Sequence, residues 1–465
     1  MNHAQRSALA VCSLVLGSAS AQDLTPVSPP QTRTVILRGG TVHPVSKPAM
    51  ENGSVVFAEG TIAHVFTDGE LQNFLATTRW AEPGPEVIDV SGKHVYPGLI
   101  APYTTLGISD IVSLRPPTDV NEVGDLTPEV VPANAVNPDS WFLPVARAGG
   151  VLAAALFPTG GTIPGQVSVI RMHGWTNDEL TIAASAGVIV SWPWMRAQPD
   201  EDRPGSDVQP TSRRDEPKPL AAMTEAFARA KAYDAERDTY PDRAIDLRWE
   251  AMRPLFDAAP NDGAPDTRAR VFVLADDADQ INAAVAFLSE RGLRCVIVGG
   301  RDAPLAATLL KRHDVPVIVD SVHRLPKRTD TPYDAQFRLP QTLKTLGIRF
   351  CIASGEEPAN ERNLPHVAGT ATAHGLEPAD ALAAITRWPA EILGVGDRLG
   401  TLDPGKAATL LITDGDILEV TTRVTHAWID GRALDLSTKQ TELLKKYEEK
   451  YRQKGMLKET GSGGR

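Results

Sequence analysis

The chain has 465 residues, 42% hydrophobic and 23% charged, with 37 Gly and 37 Pro, a balance that excludes a disordered or fibrous protein and indicates a turn-rich globular one of about three domain-equivalents. Its 47 Lys and Arg against 58 Asp and Glu leave a formal charge of -11, which repels phosphate backbones and anionic lipid. No nucleic-acid partner is therefore expected.

At the N-terminus, Arg6, the apolar run 8–16 and the small residues Ala19, Ser20 and Ala21 before Gln22 read as a secretory signal over residues 1–21. A secreted or periplasmic protein with no membrane contact in its mature form is expected, because no later run approaches the roughly eighteen apolar residues of a spanning helix. Cys12 lies in that signal. Cys295 and Cys351 sit in apolar strand-like runs and read as buried thiols, so a disulfide framework is not available. Short strands begin near Val35, Ser54 and Thr61, the last two joined by a Glu59-Gly60 turn, and the same texture returns at 408–413 and 424–429 before Asp430-Gly431. A small composite β-sandwich built from 33–93 and 397–436 is predicted. Between them, over 94–396, eight apolar runs (95–103, 151–157, 166–172, 188–191, 271–274, 295–298, 316–319 and 350–353) read as strands buried on both faces. Helical patterns separate several of them. In the clearest, Ile281, Ala284, Val285 and Leu288 recur at helical spacing before Gly292. Eight parallel strands alternating with helices predict a (β/α)8 barrel of TIM type, an α/β fold inserted into the β-sandwich. The polar, Pro-rich stretch 197–219 reads as a mobile loop near the barrel mouth. Residues 437–465 read as a charged helix, capped at Ser437, with a Gly/Ser tail.

The run Gly92-Lys93-His94-Val95-Tyr96-Pro97-Gly98-Leu99-Ile100 resembles the start of the barrel in the amidohydrolase superfamily, which includes imidazolonepropionase-like and dihydroorotase-like enzymes. Pro389-Ala390-Glu391-Ile392-Leu393-Gly394 is similar to its final helix, and the stretch from Gly394 to Gly405-Lys406 to its return into the β module. The resemblance implies one or two divalent ions, zinc or another, held at the C-terminal mouth by a His pair on strand one, a Lys on strand four, His on strands five and six and an Asp on strand eight. Such an ion yields a hydroxide that attacks an amide-like carbon. In this chain those positions carry Tyr103, Thr105, Ser191, Leu274, Gly299 and Gly355. The expectation is a degenerate member of a family that hydrolyses non-peptide carbon–nitrogen bonds, with no metal or other cofactor.

Replacement chemistry has to come from residues just past the strand ends. Glu356, Asp320 and His323 are the candidates for a rebuilt catalytic site, with Asp276 and Glu357 beside them. Asp276 and Asp277 also open a helix, with Asp277 and Gln280 at cap spacing. The loop from Gly160 to Gly165 reads as an ordinary turn or as an anion cradle, and Trp141, Trp192, Trp194 and Trp388 as pocket walls or rim filling. His43, His64, His94 and His426 fall near the β module, away from the mouth. The expected partners are a small molecule at the mouth, a second copy of the chain, or an intact histidine-bearing paralogue.

Overall fold

The computed structural model describes residues 25–80, 82, 84–110, 118–195, 218–258, 268–355 and 357–457. The predicted signal with Cys12, Glu356, the tail from 458 onward and all of 197–219 but its last two residues lie outside these. Lys218 and Pro219 open the helix Lys218–Thr239.

Five strands come first: β1 (Val35–Val42), β2 (Met50–Ala58), β3 (Thr61–Phe66), β4 (Glu86–Asp89) and β5 (His94–Pro97). The middle of the chain holds β6 (Leu99–Thr104), β7 (Val151–Leu156), β8 (Gly165–Arg171), β9 (Thr181–Ser191), β10 (Arg270–Ala275), β11 (Arg294–Gly299), β12 (Val317–Val319) and β13 (Phe350–Ile352). The last three are β14 (Leu410–Thr413), β15 (Val424–Ile429) and β16 (Arg432–Ala433).

Both chain ends build one sheet, in the order β16-β15-β14-β5-β1-β2-β3, with β4 also paired to β1. Its hairpin turns are of the predicted kind: Glu59 and Gly60, and Asp430 and Gly431, all have the positive φ of two-residue turns. The two layers of the expected sandwich are halves of this single curled sheet. Phe57 on β2 meets Trp428 on β15, four strands away, with ring centroids 5.6 Å apart. The curl ends where the Ile62 amide donates to the Lys406 carbonyl and the Gly405 amide to that of Ile62, both at 2.8 Å. Leu37, Phe57, Val95, Leu410, Ile412 and Trp428 fill the space enclosed.

The second sheet is the predicted eight-stranded barrel, in the order β13-β12-β11-β10-β9-β8-β7-β6. Each of the eight apolar runs forms one of its strands, and the first also supplies β5. One expectation needs correction: β8 is antiparallel to both β7 and β9, while every other neighbouring pair is parallel. The connection from Phe157 to Pro164 is too short for the dozen or more residues that a parallel crossover needs. Between β13 and β6 the wall is completed by a loop, with the Ile352 amide donating to Ala384 and the Ile100 amide to Ile385, at 3.0 and 2.9 Å. Gly187, at φ +151°, lets β9 lie against β10: a Cβ there would meet the Arg270 carbonyl oxygen at 2.0 Å.

The helix Ala278–Ser289 buries Ile281, Ala284, Val285 and Leu288 as predicted and carries the Asp277 and Gln280 capping box. The C-terminal helix spans Lys439–Gln453, but its cap is Thr438, with Thr441, rather than Ser437. The Ser437 amide is taken instead by the Asp435 carboxylate at 2.7 Å. Cys295 and Cys351 are buried free thiols whose pKa is pushed up by burial. Among the described residues no helix is long and apolar enough to cross a membrane.

Candidate functional site

The C-terminal ends of the barrel strands surround a cavity of about 250 Å3. Four of the positions where the family resemblance implies ligands come together in its wall: Tyr103 at the end of β6, Ser191 at the end of β9, Leu274 on β10 and Gly299 on β11. The other two do not line it. Thr105 lies one residue past β6, its carbonyl receiving the Ile108 amide at 3.1 Å, and Gly355 follows β13 with φ +105°. Convergence of strand ends is what a barrel provides, since each of the parallel strands delivers its last side chain to one rim.

Asp320, just past β12, also lines this cavity, and His323 does not. The His323 ring is exposed, its Nε2 3.0 Å from the Thr370 hydroxyl and its edge against Phe337. Asp320 and His323 are therefore not brought together, and Glu356 lies outside the described residues. Glu357 is exposed and opens a short 3-10 helix.

The charged group that organises the mouth is Arg324, which sequence reasoning missed. Its Nη1 donates to both Asp320 oxygens at 2.7 Å and to Asp276 Oδ1 at 3.2 Å, and its Nη2 donates to Asp276 Oδ2 at 2.7 Å. The only local signal was its i+4 spacing from Asp320. Burial, and then the neighbouring Asp276, push the Asp320 carboxyl up, while Arg324 pulls it down; the net direction is upward. Burial works against the Arg324 charge, but the two carboxylates outweigh it and hold the guanidinium charged. The loop continues with Lys327 on Asp277 and Arg328 on Asp302, and the Lys327 ammonium also lies 4.0 Å above the Trp194 ring. Trp192 and Trp194 both line the cavity, and the buried Trp192 indole nitrogen has no partner among the described residues. Trp388 instead packs against Phe350, and the Trp141 indole donates to the Asp110 carbonyl at 3.4 Å.

These residues do not fit a divalent ion. The strand ends offer a phenol, a hydroxyl, an alkyl chain and a glycine, and both mouth carboxylates are already hydrogen-bonded to one guanidinium. Among the described residues no group of three His, Cys, Asp or Glu could hold a metal. The glycine loop after β7 is no anion cradle either, because the Thr162 amide and hydroxyl both bind the chain's own Asp125 carboxylate at 3.0 Å.

One further acid lies at the seam between β6 and β13. Glu361 is fully buried, receives the Ser354 hydroxyl on Oε2 at 2.7 Å, and leaves Oε1 without a partner among the described residues. Burial raises its pKa to about 7, against the opposing hydrogen bonds of Thr104 and Ser354.

Residues 360–434 match the amidohydrolase family, a span that holds the final-helix and return motifs read from the sequence. The chain is a member of the amidohydrolase superfamily. By homology it stands with the amidohydrolase-family hydrolases. It is 23% identical to "Amidohydrolase tasK" of Hapsidospora irregularis over 75% of this chain, and that match spans only 37% of the longer relative. It is also 23% identical to the imidazolonepropionase of Mesorhizobium japonicum, over 78% of this chain and 87% of the relative. Among solved structures, an amidohydrolase from Thermotoga maritima shares the amidohydrolase fold, with a TM-score of 0.72 at 22% identity, covering 86% of this chain and 99% of that one.

Proposed function

We propose that this amidohydrolase-superfamily barrel binds a small uncharged molecule at its mouth and does not carry out divalent-ion-dependent hydrolysis of carbon–nitrogen bonds there. The observation that carries the reading is the Arg324 guanidinium, bonded to Asp276 and Asp320 at the rim where the superfamily's ion would be held. An organic cation already bonds both carboxylates, so a metal would have to displace it and break a bidentate ion pair. A cationic ligand would have to compete with Arg324 in the same way, and an anionic ligand would face the two carboxylates. An uncharged one meets Tyr103, Trp192, Leu274 and the Ser191 hydroxyl without disturbing the pair.

The test is metal content by plasma mass spectrometry after exposure to zinc and manganese and dialysis, alongside hydrolysis assays on cyclic amides and imides. The expected result is far less than one ion per chain and no turnover that a chelator removes. One tightly held ion per chain, with chelator-sensitive hydrolysis, would overturn the proposal.

A further inference from the structure

A second cavity, of about 530 Å3, lies at the other end of the barrel, where the chain-end sheet meets it. The loop after β1 from His43 to Ala49, Tyr96 on β5, the turn after β14 from Asp416 to Leu418, and the helices Pro378–Ala383 and Arg387–Leu393 enclose it. Tyr96 precedes β6 and Tyr103 ends it, so at about 3.3 Å per residue the two cavities are up to roughly 23 Å apart along the strand.

Its walls are chemically distinct. The His43 ring stacks on Tyr96, with centroids 4.3 Å apart and planes within 13°, while its Nε2 lies 3.0 Å from His94 Nδ1. The Tyr96 oxygen accepts the Ile417 amide at 3.4 Å. Burial, and then the neighbouring His94, lower the His43 pKa to about 4, against Asp416 and Glu51, so the half-buried His43 ring is neutral near pH 7, backed by the fully buried Tyr96.

The lining also holds two cations, Arg387 with incomplete hydrogen bonding and the exposed Lys47. Arg387 makes one long hydrogen bond, from Nη1 to the Val45 carbonyl at 3.4 Å, and its buried Nε makes none, the nearest carboxylate oxygen, on Glu391, being 3.7 Å away. Lys47 makes no hydrogen bond or ion pair among the described residues. Two acids also lie in the lining. Asp380 is held by Lys344 at 2.6 Å, and Asp416 accepts the Leu418 amide at 3.0 Å. A guanidinium N–H shielded from water without an acceptor is costly, and a carboxylate is the group whose geometry matches its fork. The loop that brings Val45 to Arg387 is itself strained, since Val45 is a β-branched residue at φ +67°. Pro48, Ile417 and Leu418 add apolar surface to the lining.

We propose that this cavity is a second binding site that takes a planar organic carboxylate, with its ring against the His43 imidazole and its carboxylate on Arg387 and Lys47. The site is independent of the reading of the mouth.

Isothermal titration calorimetry of the full chain with 2-naphthoate and with its neutral isostere 2-naphthamide tests this. The carboxylate should bind, the amide should bind about tenfold more weakly or not at all, and Arg387→Gln and Lys47→Gln should each weaken naphthoate binding, the former by about tenfold. Asp320→Asn, at the mouth, should leave it unchanged. Lys47 is exposed, so Lys47→Gln carries the test even where Arg387→Gln fails to fold. Equal affinity for acid and amide, no heat from the acid, unchanged affinity in Lys47→Gln and in any folded Arg387→Gln, or loss of binding in Asp320→Asn would each overturn the proposal.

Discussion

Glu361 is a carboxylic acid without solvent contact, and its proton is linked to folding. Between the ordinary carboxylate pKa and about 7, the unfolded chain has released that proton while the folded chain keeps it. Stability from this group is therefore complete in acid and falls as the pH rises through 7, by on the order of 3 kcal/mol. Urea unfolding at pH 5 and pH 8 should show this loss in the native protein and not in Glu361→Gln, which keeps the shape and an acceptor for Ser354; identical pH profiles would refute the linkage. No motif marks Glu361 or Arg324, because their partners arrive from other parts of the chain: Thr104 and Ser354 for one, Asp276 for the other. Asp320 was legible, since a carboxylate just past a strand end reaches the mouth. His323 looked equivalent, but sequence position does not fix which way a loop side chain turns, and Thr370 holds it outside.

At the scale of elements, Gln280 joins a helix start to the rim of the mouth. Its side-chain oxygen accepts the Asp276 and Asp277 amides at 3.2 Å, and its amide donates to the Trp192 carbonyl at 2.9 Å. Gln280→Leu would leave these groups unpaired in a site only 5% exposed, so a loss of about 3 kcal/mol is expected in the denaturant midpoint. A change below about 0.5 kcal/mol would mean that the cap does not hold the rim. Helix and cap were legible together here, because apolar spacing and cap residues are both local. The direction of β8 was not read, since a strand buried on both faces shows the same apolar run whichever way it points. The signal lay outside the strand, in the short link from Phe157 to Pro164.

At the scale of the whole molecule, β14 lies between β5 and β15, and Leu410, Leu411, Ile412 and Trp428 are all buried in the last part of the chain. At about 1.5–3 kcal/mol each, these four side chains match the net stability of an ordinary domain. A chain truncated after Thr409 should give no soluble folded protein. One truncated after Thr438 loses a helix with no buried residue and should keep its melting temperature within about 2 °C, as differential scanning fluorimetry would show. A large drop would reveal a packing role for that helix. The composite sheet was legible because its turns are local, whereas its curl depends on Phe57 reaching Trp428, a contact that no local pattern encodes. The closing of both sheets by late residues also orders events in time. The barrel seam waits for Ala384 and Ile385, and β5 waits for β14, so a chain emerging from a ribosome carries two open edges until almost all of it has been made. Neither sheet can close before those late residues have been made, and until then the open edges are free to pair elsewhere.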